Sequence, residues 1–108
     1  MNNSSSTPSP DEMFSLGENA ASAGNQDEAK KWYKLAAEAG DVNAMYNLGI
    51  DAAKAGDLKE GKKWLESAVA AGDAAAMHAL GVVLEEQGDS RMANEYYKLA
   101  WAHGFTED

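Results

Sequence analysis

Nine of the ten glycines fall on three ladders with a common step. Gly17, Gly49 and Gly81 are 32 residues apart, as are Gly24, Gly56 and Gly88, and then Gly40, Gly72 and Gly104; only Gly61 stands outside. Met13, Met45 and Met77 keep the same step, as do Leu16, Leu48 and Leu80, the aromatic series Trp32, Trp64, Tyr96, and Ala36, Ala68, Ala100. A period of this length marks three copies of one supersecondary unit. One such unit cannot bury its own apolar face, so the copies have to stack. The spacing predicts repeat 1 over residues 9–40, repeat 2 over 41–72 and repeat 3 over 73–108, the last with a C-terminal cap. Residues 1–8 contain three consecutive serines and no hydrophobe after Met1. They are expected to form a disordered tail, because they cannot offset the entropy of being ordered.

Each unit reads as two helices. Ser9-Pro10-Asp11-Glu12 combines a serine N-cap, proline at the first helical position and glutamate three residues after the cap. Asp41 and Asp73 hold the equivalent cap positions. Met13, Leu16, Gly17, Ala20 and Gly24 recur at three- and four-residue steps, which places them on one buried helix face. The second helix starts at Asn25, Asp57 or Asp89, with Glu28 and Glu60 following two of these caps. Its stripe is Ala29, Trp32, Tyr33, Ala36 and their repeat equivalents. Glycines at 24, 56 and 88, and at 40, 72 and 104, end the helices. Gly17, Gly49 and Gly81 lie inside a helix, where glycine costs about 1 kcal/mol against alanine, so close approach of a neighbouring helix is expected there. Strand signals are missing. The expected fold is all-α: an α-solenoid of three helix-turn-helix repeats, six antiparallel helices in all.

The segments Ala44-Met45-Tyr46-Asn47-Leu48-Gly49, Gly56-Asp57 and Trp32-Tyr33-Lys34-Leu35-Ala36-Ala37-Glu38-Ala39-Gly40 resemble Sel1-like repeats, relatives of the tetratricopeptide repeat. The first junction carries the matching small-residue signature as Ala36, Ala37, Gly40 and Ala44. The second keeps Ala68, Gly72 and Ala76 but has Val69. Sel1-like units usually have extra residues between their helices. Here that spacing is short, as in tetratricopeptide repeats, whose unit is about 34 residues. The resemblance implies a scaffold that holds a protein or peptide in the concave groove lined by first helices.

The candidate groove residues are Phe14, Glu18, Asn43, Tyr46, Asn47, Ile50, His78, Val82 and Glu85. Phe14, Tyr46 and His78 repeat a flat ring at one position, Ile50 and Val82 add aliphatic surface, and Asn43 and Asn47 supply amides beside them. Such a ladder suits an extended peptide or a partner helix. The same rings could equally serve as packing between adjacent first helices. Glu18, Glu85 and Glu86 outnumber Lys54 at the groove's edge, so a neutral or basic partner is expected. Lys30, Lys31, Lys34, Lys59, Lys62 and Lys63 collect on second helices, where a solvated outer face is the simplest reading.

Eighteen acidic against nine basic residues give a formal charge of −9. This argues against nucleic acid and anionic membrane as partners, since both need a basic patch. No apolar run approaches the ~20 residues of a membrane span. Cysteine is absent, which removes disulfides and thiol chemistry and fits a cytoplasmic location. His78 and His103 fall on different helices without an evident acid–base or ligand set, so no catalysis, metal or cofactor is expected. A binding adaptor is the favoured class. An acidic inhibitor or immunity-type protein that neutralises one basic partner, and a self-assembling structural module, are the alternatives. At the C-terminal end, Trp101 stands in register with Ala37 and Val69, and Phe105 with Asp41 and Asp73. Phe105 is expected to fold back near Trp101 and cover Tyr97 or neighbouring apolar surface, leaving a monomer. In the competing arrangement these aromatics pair two chains end to end.

Overall fold

The computed structural model describes residues 7–106, so residues 1–6 of the expected tail and the last two residues of repeat 3 lie outside the described part. Six helices of 13 residues each follow one another: α1 Pro10–Ser22, α2 Gln26–Glu38, α3 Val42–Lys54, α4 Leu58–Ala70, α5 Ala74–Glu86 and α6 Ser90–Ala102. No strand occurs among the described residues. Helix starts advance by half the 32-residue period, so the half-repeat is as regular as the repeat.

Local chemistry explains that regularity. Ser9 and Glu12 form a complete capping box: the Ser9 hydroxyl accepts from the Glu12 N–H at 3.2 Å, and the Glu12 carboxylate accepts from the Ser9 N–H at 2.7 Å. Asp41, Asp57, Asp73 and Asp89 each accept from the backbone N–H three residues on. Asn25 makes no such bond. Glu60 does not reach back to its cap; it accepts from the Trp64 indole N–H at 2.9 Å. At the other end of each helix a glycine takes the left-handed conformation, as Gly40 does at φ 104°. The residue after it then donates its N–H into the finished helix; Asp41 bonds the Ala36 carbonyl at 2.9 Å. One aspartate thus closes one helix and opens the next, which keeps the connections short and the helices antiparallel.

Consecutive helices pair as α1 with α2, α3 with α4 and α5 with α6, and the hairpins stack through α2 on α3 and α4 on α5. Stacking makes the molecule elongated, 54 × 27 × 25 Å. Helices within a hairpin come close because of the mid-helix glycines. A Cβ on Gly17, Gly49 or Gly81 would lie 2.7, 2.7 or 2.6 Å from the side chain of Tyr33, Leu65 or Tyr97. Gly61, outside the ladders, faces the Gly49 carbonyl across the central hairpin, 3.0 Å from where its own Cβ would be.

Two buried clusters hold the stack. One joins Met13, Ala36, Ala37, Ala44, Leu48 and Trp64 and so fastens repeat 1 to repeat 2. The other joins Leu65, Ala68, Ala76, Ala79, Leu80, Val83, Leu84 and Ala93 and fastens repeat 2 to repeat 3. Leu65 and Leu80 are the largest fully buried side chains.

Candidate functional site

First helices two and three touch directly, α3 against α5. Between them Tyr46, Ile50, Ala53 and Lys54 face His78, Val82 and Glu86 across a cleft of about 270 Å³. Tyr46 and Ile50 are one helical turn apart on α3, and His78 and Val82 repeat that spacing on α5, which is why four side chains converge. Ala79 and Val83 form the floor and belong to the buried cluster beneath. Tyr46, Ile50 and His78 are half-buried and Val82 is exposed, so the cleft offers apolar surface to solvent. Lys54 and Glu86 set one cation and one anion at its rim.

Four of the nine expected groove residues, Tyr46, Ile50, His78 and Val82, therefore share one cleft. The other five lie elsewhere. Phe14 packs on Tyr33 of its own hairpin, ring centroids 5.5 Å apart. Glu18 is exposed. Burial pushes the Tyr33 hydroxyl above its usual pKa, and the carboxylates of Glu18 and Asp51 raise it further. Asn43 is exposed and Asn47 half-buried; neither lines the cleft. Glu85 accepts the Tyr97 hydroxyl at 2.6 Å, tying α5 to α6. Ala79 and Val83 are the lining residues that the sequence reading missed. Their alignment with Ile50 and Tyr46 follows from how α3 seats on α5, which no single-helix pattern carries.

At the C-terminal end the structure sends the two aromatics in different directions. Gly104 does release Phe105, whose N–H bonds the Ala100 carbonyl at 3.0 Å in the way Asp41 and Asp73 bond theirs. The ring, however, stacks on His78, centroids 4.5 Å apart and planes 18° from parallel. His78 in turn lies tilted against Tyr97 at 5.2 Å. Trp101 takes no part in the lid and is 72% exposed. It lines an open depression with Asn94, Tyr97 and Lys98 of its own helix, while the Gly104 turn brings Phe105 onto His78 of α5.

A second cleft, about 730 Å³, opens between α2 and α4 with the C-terminal half of α3 beneath it. Lys30, Lys34 and Lys54 share its walls with Asp27, Asp51, Asp57 and Glu60. Lys30 and Lys34, expected on a solvated face, are exposed and line this open gap between repeats. The signal was available: Lys30 and Lys34 flank the Tyr33–Ala37 edge that meets the next repeat. Its walls mix both charges closely, so nothing in it selects one ligand charge.

Among the described residues no group of three or more His, Asp or Glu is placed to hold a metal ion. No described helix is long and apolar enough to cross a membrane. No family model and no curated protein sequence matches the chain.

Proposed function

We propose that this chain is a scaffold that binds a protein or peptide through the concave side of its first helices, centred on the cleft between α3 and α5. The observation that carries this reading is the convergence of Tyr46, Ile50, His78 and Val82 on one solvent-open apolar cleft over a close-packed floor. Such a cleft takes one apolar anchor side chain of an extended peptide or helix, the usual origin of most binding energy at small interfaces. The rim carries both Lys54 and Glu86, so it is the net charge of −9 that favours a partner with a lysine or arginine near that anchor. The likeness to Sel1-like and tetratricopeptide repeats at residues 32–49 points to the same class of activity, with the cytoplasm as its setting.

Selection from a phage-displayed random peptide library tests the proposal. Enriched peptides should carry an aliphatic or aromatic anchor next to a basic residue. Val82 is 38% exposed, so Val82→Lys leaves the core intact while filling the cleft and opposing a basic ligand. Affinity for the selected peptides should fall about tenfold or more, a loss of at least ~1.4 kcal/mol. Peptides that bind wild type and Val82→Lys equally would place the site elsewhere.

A further inference from the structure

We propose that the cleft between α2 and α4 is a second binding site, for a short zwitterionic peptide whose free ammonium and free carboxylate are taken by opposite walls. The repeats themselves supply the comparison that singles this cleft out. Moving its lining residues forward by the 32-residue period gives the corresponding place between repeats 2 and 3. There Gln26, Tyr33, Asp51, Ala52 and Glu60 are matched by Leu58, Leu65, Val83, Leu84 and Met92. Leu65, Val83 and Leu84 are buried, and Leu58 packs against the same cluster. One junction is thus filled by aliphatic side chains. The other carries polar or small ones at the same positions and opens over about 730 Å³. A chain that needed only to stack would gain apolar burial by repeating the aliphatic set. Forgoing that gain at one internal junction is the pattern of a place kept for binding.

A cleft that selects no single ligand charge suits a ligand that carries both. Three of the nine basic residues in a chain of net charge −9 line it: Lys30, Lys34 and Lys54. Lys30 and Lys34 stand about one turn apart on the α2 wall, and Asp57 and Glu60 stand on the α4 side. Each of these carboxylates is fixed by a bond that uses one oxygen. Asp57 accepts from the Glu60 N–H at 3.2 Å, and Glu60 accepts from the Trp64 indole at 2.9 Å. A second oxygen remains on each, already positioned when a cation arrives. A purely anionic ligand would meet four carboxylates, since Asp27 and Asp51 also line the cleft, and a purely cationic one would meet three ammonium groups. One charge of each sign satisfies both walls. Between them Ala29, Leu48 and Trp64 are buried and give an apolar floor for a middle side chain. Tyr33 keeps a neutral, donating hydroxyl, because burial and the Glu18 and Asp51 carboxylates oppose its ionisation. The volume lies within the ~300–1,000 Å³ of small-ligand sites and suits two or three residues better than one free amino acid.

Chemical-shift titration of the labelled full chain with the tripeptide Gly-Leu-Gly tests this. Saturable shifts should centre on Lys30, Tyr33, Asp51 and Glu60, with a dissociation constant of about 1 mM or tighter. Acetylating the peptide's ammonium, or converting its carboxylate to the amide, should each weaken binding about tenfold or more. Ala52→Leu installs the side chain that Leu84 carries at the same repeat position. Its melting temperature should hold or rise, while affinity falls about tenfold or more as the cleft fills. Lys30 and Lys34 are exposed, so replacing both with glutamine keeps the fold and should remove the preference for free carboxylate over amide. Val82→Lys, in the α3–α5 cleft, should bind Gly-Leu-Gly as wild type does, so the two sites stand or fall separately. No saturable binding at millimolar peptide, equal affinity for the capped peptides, or shifts centred on Tyr46 and Val82 would each overturn the proposal. So would unaltered binding in a folded Ala52→Leu, or an intact carboxylate preference in the double glutamine variant.

Discussion

Replacing Trp64 with alanine is expected to lower the unfolding free energy by about 3–5 kcal/mol, the range for truncating a buried large aromatic. Trp64 is 8% exposed and is the one aromatic among the buried members of the cluster that joins repeats 1 and 2, with Phe14, Trp32 and Tyr33 packed at its edge. Its buried neighbours there are three alanines, Met13 and Leu48, and the rings at the cluster's edge are too stiff to close the void fully. The indole N–H bond to Glu60 is lost with it. The effect should be local as well as large. The cluster joining repeats 2 and 3 does not include Trp64, and in a stack whose units touch only their neighbours, damage stays at the junction that carries it. Hydrogen exchange of α1 and α2 amides should therefore accelerate strongly, with α5 and α6 much less affected. Uniform acceleration along the chain would show that the repeats unfold as one unit.

The second large effect is expected at Gly49. A Cβ there would lie 2.7 Å from Leu65 Cγ, 2.9 Å from Leu65 Cδ2 and 3.2 Å from the Gly61 carbonyl oxygen. Leu65 is fully buried and cannot swing away, and the Gly61 oxygen is backbone. Gly49→Val adds two more carbons to that collision, so α3 and α4 must separate. Overpacking a filled core costs about 1–3 kcal/mol, with backbone displacement at the upper end. The gain from removing a mid-helix glycine is below ~1 kcal/mol and does not reverse the sign. Net destabilisation of about 2–3 kcal/mol in urea unfolding is expected. Gly56→Ala makes the contrast: nothing lies within 4 Å of its Cβ, but φ is +91°. Its cost, about 1–2 kcal/mol, comes from the left-handed backbone alone.

These two glycines also show what the sequence could carry. Gly56 and Gly49 sit on ladders of the same step, yet one ends a helix and the other admits a neighbour. Their spacing to Asp57 and to Leu48 was enough to tell them apart, because capping and helix-face periodicity are local. Helix limits, caps and hairpin pairing were legible for that reason. The site was legible only in half. Tyr46, Ile50, His78 and Val82 lie on a face that a helical wheel finds, whereas their floor of Ala79 and Val83 depends on how two helices seat. Phe105 and Trp101 mark the boundary most clearly. Both were recognised as departures from the repeat, but the direction each ring takes depends on the turn at Gly104 and on a ring, His78, from another helix.

The central claim is that the α3–α5 cleft receives the partner's anchor residue. Its most direct test is amide chemical-shift mapping of the labelled chain with a peptide selected as above. The largest shifts should centre on Tyr46, Ile50, Val82 and Glu86, with His78 ring resonances moving in step. Shifts confined to the walls of the other cleft, at Lys30, Lys34, Asp51 and Asp57, or to α6 around Trp101, would contradict it.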